Sequence, residues 1–93
     1  MKIRFLFFAS IRDVAKTGEM ELEFNGTTVE EALTQLKNSI PGLAPHLDQA
    51  QVAVNEKYSE RSAGLQEGDV LALIPPVSGG AHDSNPTRRF FRG

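Results

Sequence analysis

The residues best suited to chemistry lie near the carboxyl end, where the sequence reads PPVSGG from Pro75 to Gly80. Proline fixes the backbone angle φ, which lowers the entropy that this segment loses when it enters a channel. Glycine gives the slimmest possible chain and permits close approach of the backbone. If extended at about 3.4 Å per residue, this stretch spans about 20 Å. A chain end of this shape could enter another protein's active site and present a carboxylate there.

Composition indicates one small soluble domain. The chain has 93 residues, of which 40% are hydrophobic and 24% are charged, as in globular proteins. Such a short chain has little room for both a core and a deep active site, which favours a carrier or subunit over a complete enzyme. Cysteine is absent, so no disulfide, thiolate nucleophile or cysteine-based metal site can form.

The distribution of charge and apolar residues narrows the partners and the location. Residues 1–80 carry 7 basic and 11 acidic groups, and an acidic body argues against nucleic-acid binding. The uncharged apolar run near the N-terminus, Phe5–Ala9, is too short for a signal peptide or a membrane span. We therefore expect a cytoplasmic protein without a membrane partner. His46 and His82 have no companions at metal-ligand spacing, so we expect no metal site.

Two strands are predicted at the start of the chain. Lys2–Ala9 is short and rich in Phe and Ile, and Glu19–Phe24 alternates strictly between glutamate and apolar residues, the pattern of a half-buried strand. Residues 10–18 are predicted to be a connection with a turn at Gly18, so that the two strands can pair as an antiparallel hairpin. Alternation also places Leu6 and Phe8 with charged residues on one face of the first strand. They are either ordinary exposed apolar residues or a docking patch for a partner.

One main helix follows the two strands. Thr28 and Glu31 fit a capping box, with Thr27 and Glu30 as an alternative register. Pro41-Gly42 ends the helix. The apolar residues between these signals recur at helical spacing: Val29, Ala32, Leu33, Leu36 and Ile40.

The second half of the chain contributes the remaining strands. Leu43–Gln49 is predicted to be a loop or a short helical turn, and Val52–Val54 begins a third strand. Residues 56–69 are polar, with a weak strand signal near Ser62–Leu65. Val70–Ile74 is nearly all apolar, which is typical of a strand covered on both faces in the sheet interior. The order β-β-α-β-(β)-β predicts an α+β fold, in which a mixed sheet of four to five strands packs on one main helix.

The stretches FLFFASIRD, VEEAL, VAVNEKY and EGDVLALIPPVSGG, in this order and at these spacings, resemble the small subunit of molybdopterin synthase. The resemblance covers residues 2–80 and implies the ubiquitin-like β-grasp fold, with a flexible C-terminal tail. It divides the chain into a sulfur-carrier domain at residues 1–80 and a C-terminal extension at residues 81–93.

The resemblance implies a sulfur carrier in molybdenum cofactor biosynthesis, acting as the non-catalytic donor subunit of a sulfurtransferase complex. Gly80 would be adenylated by a ubiquitin-activating-like adenylyltransferase that uses ATP, and then thiocarboxylated, with Gly79 as its slender neighbour. The large synthase subunit would admit the tail, in a heterotetramer, and sulfur would pass to cyclic pyranopterin monophosphate. No cofactor would be bound by the chain itself. For contact with the partner we predict Leu6 and Phe8 on the body, from the strand alternation, and Pro75, Pro76, Val77 and Ser78 in the inserted tail.

The chain departs from this family pattern after the second glycine. The Gly80 carbonyl lies in a peptide bond to Ala81, so it cannot be adenylated until a processing protease cuts between them. The extension at residues 81–93 is either a short pro-tail or a linker to a fused large subunit. Two other functions stay open: a ubiquitin-like modifier conjugated through Gly80, and a sulfur carrier for thiamin or cysteine synthesis.

Overall fold

The computed structural model describes residues 1–76, which form a five-stranded mixed sheet and three helices. The strands cross the sheet in the order β2-β1-β5-β3-β4. β5 runs parallel to β1, and all other neighbours are antiparallel. This is the β-grasp fold that the sequence predicts. The strands are β1 (Lys2–Phe7), β2 (Glu19–Glu23), β3 (Gln51–Val54), β4 (Lys57–Tyr58) and β5 (Val70–Ile74), and the helices are α1 (Ala9–Ala15), α2 (Val29–Ser39) and α3 (Ala44–Asp48).

β5 is the central strand of the sheet. Leu71 lies opposite Phe5 of β1 on one side and opposite Val54 of β3 on the other. All of its residues from Leu71 to Ile74 are buried, which confirms the prediction that this apolar run is covered on both faces. Hydrogen bonds on both sides fix the position and direction of the strand from which the tail departs.

The main core lies between one face of the sheet and the helices. Phe5 and Phe7 of β1 point into it with stacked rings whose centroids are 6.4 Å apart. Full burial of one such side chain stabilises a fold by about 1.5–3 kcal/mol. The helical stripe predicted from the sequence faces this core through its four fully buried members: Val29, Ala32, Leu33 and Leu36 of α2.

A capping box begins α2 in the Thr28 register. The Thr28 hydroxyl accepts a hydrogen bond from the Glu31 backbone N–H at 3.3 Å, and the Glu31 Oε1 accepts one from the Thr28 backbone N–H at 3.1 Å. The same oxygen also accepts a bond from the Thr27 backbone N–H at 2.7 Å. Thr28 is therefore the residue that caps the helix, and the alternative register with Glu30 is not used.

The prediction of a plain connection at residues 10–18 is wrong, because α1 occupies most of it. Ile11 anchors this helix in the main core. No side chain caps its first turn, and Lys16 ends it in the left-handed conformation with φ 63°. The helix also shortens the first strand, which ends at Phe7 and not at Ala9.

The polar stretch in the second half holds more local structure than predicted. A tight turn at Asn55 and Glu56, with φ values of 51° and 72°, joins β3 to the two-residue β4. The strand signal near Ser62–Leu65 corresponds to a single bridge between Gly64 and Thr28. Of the two predictions for Leu43–Gln49, the helical one is confirmed, since the segment holds the end of a 3-10 turn and α3.

Within residues 1–76, no helix is long and apolar enough to cross a membrane.

Candidate functional site

The sheet face turned away from the helices carries a second apolar cluster, which we call the outer cluster. Its buried members are Ala53, Ala72 and Ile74, and the partly buried Leu6 and Phe8 pack against them. Ala72 lies between Leu6 on β1 and Ala53 on β3 in the strand register. The cluster therefore occupies the middle of the outer face, on its three central strands.

One row of side chains crosses the whole outer face through this cluster. Directly paired residues of a sheet share a face, and the pairing places five residues side by side: Glu19, Leu6, Ala72, Ala53 and Tyr58, from β2 to β4. The row begins at a carboxylate, continues over small and apolar residues, and ends at the Tyr58 ring, which is 41% exposed.

The structure brings the two body residues predicted to contact a partner onto this face. Leu6 and Phe8 are both partly exposed, and both belong to the outer cluster rather than to the main core. They therefore belong to one apolar cluster whose other members, Ala53, Ala72 and Ile74, are buried. That this surface binds a partner stays a prediction.

The base of the predicted tail follows β5 without an intervening loop. Pro75 is half-buried and Pro76 is exposed, so the chain leaves the sheet beside Ile74 of the outer cluster. The other predicted tail residues lie outside the described residues: Val77, Ser78, Gly79 and Gly80, together with the predicted cleavage position before Ala81.

Charged residues border the outer cluster on the β2 side. Glu21 lies opposite Arg4, and Glu23 lies opposite Lys2, in the pairing of β1 with β2. The Glu23 carboxylate accepts a hydrogen bond from the Met1 ammonium at 2.9 Å, and this bond is the main reason why the pKa of Glu23 lies below its ordinary value. Glu19, in contrast, lies opposite the apolar Leu6. Within residues 1–76, neither Glu19 nor Glu21 forms an ion pair.

No group of three or more His, Asp or Glu residues within positions 1–76 could hold a metal ion. His46 is half-buried on the short helix α3, and His82 lies outside the described residues.

Three members of the outer cluster were not predicted from the sequence. Ala53, Ala72 and Ile74 lie in apolar runs, where alternation does not show which residue faces which side. Two signals could have found them together. The continuous apolar run Val70–Ile74 indicated a second covered face, and pairing with the strand that carries Leu6 would have placed Ala72 on that face.

Comparison with known proteins assigns the chain to a family. Residues 5–80 match the model of the ThiS family. The chain belongs to the ThiS family. The match ends at the second residue of the glycine pair, so it includes the sheet except for the first three residues of β1, the outer cluster and the sequence up to Gly80.

Individual relatives of this ThiS-family chain agree with that assignment. It is 37% identical over 82 residues to the molybdopterin synthase sulfur carrier subunit of Mycobacterium tuberculosis, covering 86% of this chain and 99% of that protein. The crystal structure of SAMP1 from Haloferax volcanii is similar with a TM-score of 0.77 and 29% identity, covering 86% of this chain and 100% of that one. A chain in the complex of subunits 1 and 2 of the molybdopterin-converting factor from Helicobacter pylori is similar with a TM-score of 0.63 and 27% identity. The match covers 86% of this chain and 100% of that one.

Proposed function

We propose that this chain is a sulfur carrier in molybdenum cofactor biosynthesis and that Gly80, once freed, is the residue that carries the sulfur. The observation that carries the proposal is the family match, which covers residues 5–80 and so ends at Gly80. The likeness to the M. tuberculosis sulfur carrier subunit, over nearly the full length of that protein, supports the same role.

The proposed chemistry begins with hydrolysis of the peptide bond between Gly80 and Ala81 by a protease. Water supplies the oxygen of the new Gly80 carboxylate, and Ala81 leaves with a free amine. A carboxylate is a poor electrophile, so a ubiquitin-activating-like enzyme joins it to AMP from ATP and releases pyrophosphate. A sulfur nucleophile then attacks the acyl carbon, AMP leaves, and a thiocarboxylate is formed. ATP is consumed by the activating enzyme, and the carrier binds no cofactor.

The second step delivers the sulfur within the synthase. The large subunit admits the tail, and the thiocarboxylate sulfur forms a bond to a carbon of cyclic pyranopterin monophosphate. Water then hydrolyses the bond between this sulfur and the Gly80 acyl carbon, which leaves the sulfur on the pterin and supplies the oxygen of the regenerated Gly80 carboxylate. The folded body positions the tail and binds the partner. β5 fixes where the tail starts, and Leu6 and Phe8 of the outer cluster contact the large subunit. Similarity to a chain of the H. pylori two-subunit complex supports such a partner.

An activation assay tests this function directly. A chain ending at Gly80 is incubated with the activating enzyme, ATP and a sulfur donor, and its intact mass is measured. We expect one oxygen to be replaced by sulfur in this chain and no change in the full-length chain of 93 residues. The variant Gly79→Val in the shortened chain should react more slowly, because a branched side chain prevents close approach of the backbone. Refusal of the shortened chain by the activating enzyme would overturn the proposal.

A second candidate function is that of a ubiquitin-like protein modifier, which also needs a free diglycine end. The likeness to SAMP1 of H. volcanii, described as a small archaeal modifier protein, favours it. The two functions differ in the product formed on Gly80. Gly79-Gly80 remnants linked to lysine side chains of other proteins, found by peptide mass spectrometry, would support the modifier, and a thiocarboxylate would support the carrier.

A further inference from the structure

Asn25 and Gly26 form the link between β2 and the capped start of α2. Both lie outside the helices and strands, and Asn25 is exposed whereas Gly26 is half-buried. Within residues 1–76, neither the Asn25 side chain nor the Gly26 N–H has a hydrogen-bonding partner. The Asn25 amide is therefore open to water and is not held in one orientation by the rest of the described fold.

An asparagine that precedes glycine can react with its own main chain. The backbone nitrogen of the glycine attacks the side-chain amide carbon of the asparagine, a C–N bond forms, and ammonia leaves a cyclic succinimide. Water then opens the ring at one of its two carbonyl groups and gives aspartate or isoaspartate. In isoaspartate the main chain runs through the side-chain carbon. We propose that Asn25 is a site of this spontaneous modification and that the isoaspartate formed there weakens the start of α2.

Packing around Gly26 keeps the least hindered neighbour beside Asn25. A Cβ atom at position 26 would lie 2.6 Å from Cζ of Phe24 and 2.9 Å from Oε1 of Glu31. The Phe24 ring is buried in the main core, and the Glu31 carboxylate belongs to the capping box. Any other residue would have to displace both groups. The fold thus requires glycine here, and glycine has no side chain to hinder attack by its nitrogen.

The two other asparagines in the described part of the chain are less open to this reaction. Asn38 lies in α2, where the helical backbone holds the main-chain N–H groups along the axis. The Asn55 side chain donates to Oδ1 of Asp69 at 3.0 Å and accepts from the Val70 N–H at 3.1 Å, so both ends of its amide are fixed. Neither residue precedes a glycine. Asn38 and Asn55 therefore serve as internal controls for Asn25.

The modification would act on the capping box because the chain is fixed on both sides of it. The Phe24 N–H donates to the Met1 carbonyl oxygen at 2.6 Å, and the Thr27 carbonyl oxygen accepts from the Leu65 N–H at 2.8 Å. Isoaspartate adds a carbon to the main chain between these two points. The extra length has to be absorbed next to Thr27, whose N–H donates to Oε1 of Glu31 at 2.7 Å. Loss of capping contacts lowers the stability of a helix.

Side-chain amide signals in nuclear magnetic resonance spectra of the full-length chain test the site. The signals of Asn25, Asn38 and Asn55 are followed in one sample at mildly alkaline pH, where the attacking nitrogen loses its proton more readily. We expect the Asn25 signal to disappear while the other two persist. The variant Asn25→Gln should keep its amide signal, because the longer side chain closes a ring more slowly. An Asn25 signal that lasts as long as those of Asn38 and Asn55 would overturn the proposal.

The effect on α2 is tested on the modified protein. Both products carry a new negative charge, so anion exchange separates them from the parent, and peptide mass spectrometry with electron-transfer fragmentation identifies the isoaspartyl form. We expect this form to unfold at a lower temperature than the parent and to show amide shifts at Thr28 and Glu31. The variant Asn25→Asp adds the same charge without lengthening the main chain and should unfold close to the parent.

Two results would refute the effect on the helix. Equal unfolding temperatures for the parent and the isoaspartyl form would show that the capping box absorbs the extra carbon. An equal loss in Asn25→Asp would assign the effect to charge and not to the main chain. These measurements need no activating enzyme, sulfur donor or partner, so their outcome is independent of the sulfur-carrier assay.

Discussion

Phe7 and Phe8 are neighbours in the sequence, yet they serve different surfaces. Phe7 is the last residue of β1 and is 2% exposed in the main core, whereas Phe8 is partly exposed and packs on the outer cluster. Phe8 continues the extended backbone of β1, with φ −124° and ψ 151°, so the two rings point to opposite faces of the sheet. One face thus contributes stability, and the other carries the surface proposed for recognition.

Substitution of these two rings should show the separation. Phe7→Ala removes a buried ring from the main core and should cost about 3–5 kcal/mol of unfolding free energy. Phe8→Ala should cost less stability, because its ring is already partly in water, but should weaken binding of the large subunit. Chemical denaturation gives the first quantity and calorimetric titration the second. Equal loss of stability in both variants would place Phe8 in the core and remove it from the proposed contact surface.

The capping box makes part of the stability depend on pH. The pKa of Glu31 lies below its ordinary value because the backbone N–H groups of Thr27 and Thr28 donate to its carboxylate. The unfolded chain then binds this proton at a higher pH than the folded chain does. The stabilisation is therefore present above the ordinary glutamate pKa and is lost as pH falls from that value through the lowered pKa of the folded state.

Glu31→Gln tests this acid dependence. Glutamine keeps an oxygen that can accept from the Thr28 N–H but does not titrate, so the variant should lose less stability than the parent when pH falls through the acidic range. Urea denaturation at several pH values measures the difference. Thr28→Ala is the matched variant for the other half of the box and should cost about 1 kcal/mol at neutral pH. Identical pH profiles for the parent and Glu31→Gln would contradict the role of this carboxylate.

At the scale of elements, the sequence predicted the strands and the helix whose hydrophobic periodicity extends over several residues. The alternation of Glu19–Phe24, the capped stripe of α2 and the apolar run of β5 each extend over enough residues to distinguish a strand from a helix. α1 and β4 were missed because they span only seven and two residues. In both, tertiary contacts and turn geometry decide the conformation more than local pattern does.

The candidate site was predictable only where the sequence pattern shows which face of a strand a residue takes. Leu6 and Phe8 stand out because they share one face of the first extended segment with the charged residues Lys2 and Arg4. Ala72 does not stand out, because its neighbours on β5 are also apolar, and only the register with Leu6 and Ala53 shows which face it takes. Sequence thus predicted the edge of the outer cluster, and the sheet topology supplied its centre.

One side chain joins elements that the sequence pattern left separate. The Arg61 guanidinium donates hydrogen bonds to the carbonyl oxygens of Leu47 at 2.7 Å and Ala50 at 3.2 Å, at the end of α3 and just before β3. Arg61→Met keeps the apolar stem but leaves these half-buried carbonyls without their donor, and should cost on the order of 1–3 kcal/mol. Arg12→Met, at an exposed position of α1, should change stability by less than about 0.5 kcal/mol. Thermal unfolding compares the stabilities of the two variants. Equal losses would show that the hydrogen bonds of Arg61 to Leu47 and Ala50 do not stabilise the fold.

Within residues 1–76, β5 joins the two halves of the sheet. β1 pairs with β2, and β3 pairs with β4, but the two pairs are linked only through β5 in the sheet order. β5 also supplies Leu71 and Leu73 to the main core. The proposed tail thus follows the strand whose pairing completes the sheet. The position of the tail base is therefore fixed only when the body has folded.

A fragment of residues 1–69, which lacks β5, should therefore not fold. It would have to keep two separate strand pairs, and isolated two-stranded units are marginal at best in water. Loss of each buried leucine costs about 2–5 kcal/mol, whereas a whole domain is stable by only about 5–15 kcal/mol. Circular dichroism should show a largely disordered fragment without a thermal transition, while residues 1–80 should unfold cooperatively. A cooperative transition in the fragment would mean that the helices hold the two strand pairs together without β5, and the sheet would not be the element that fixes the direction of the tail.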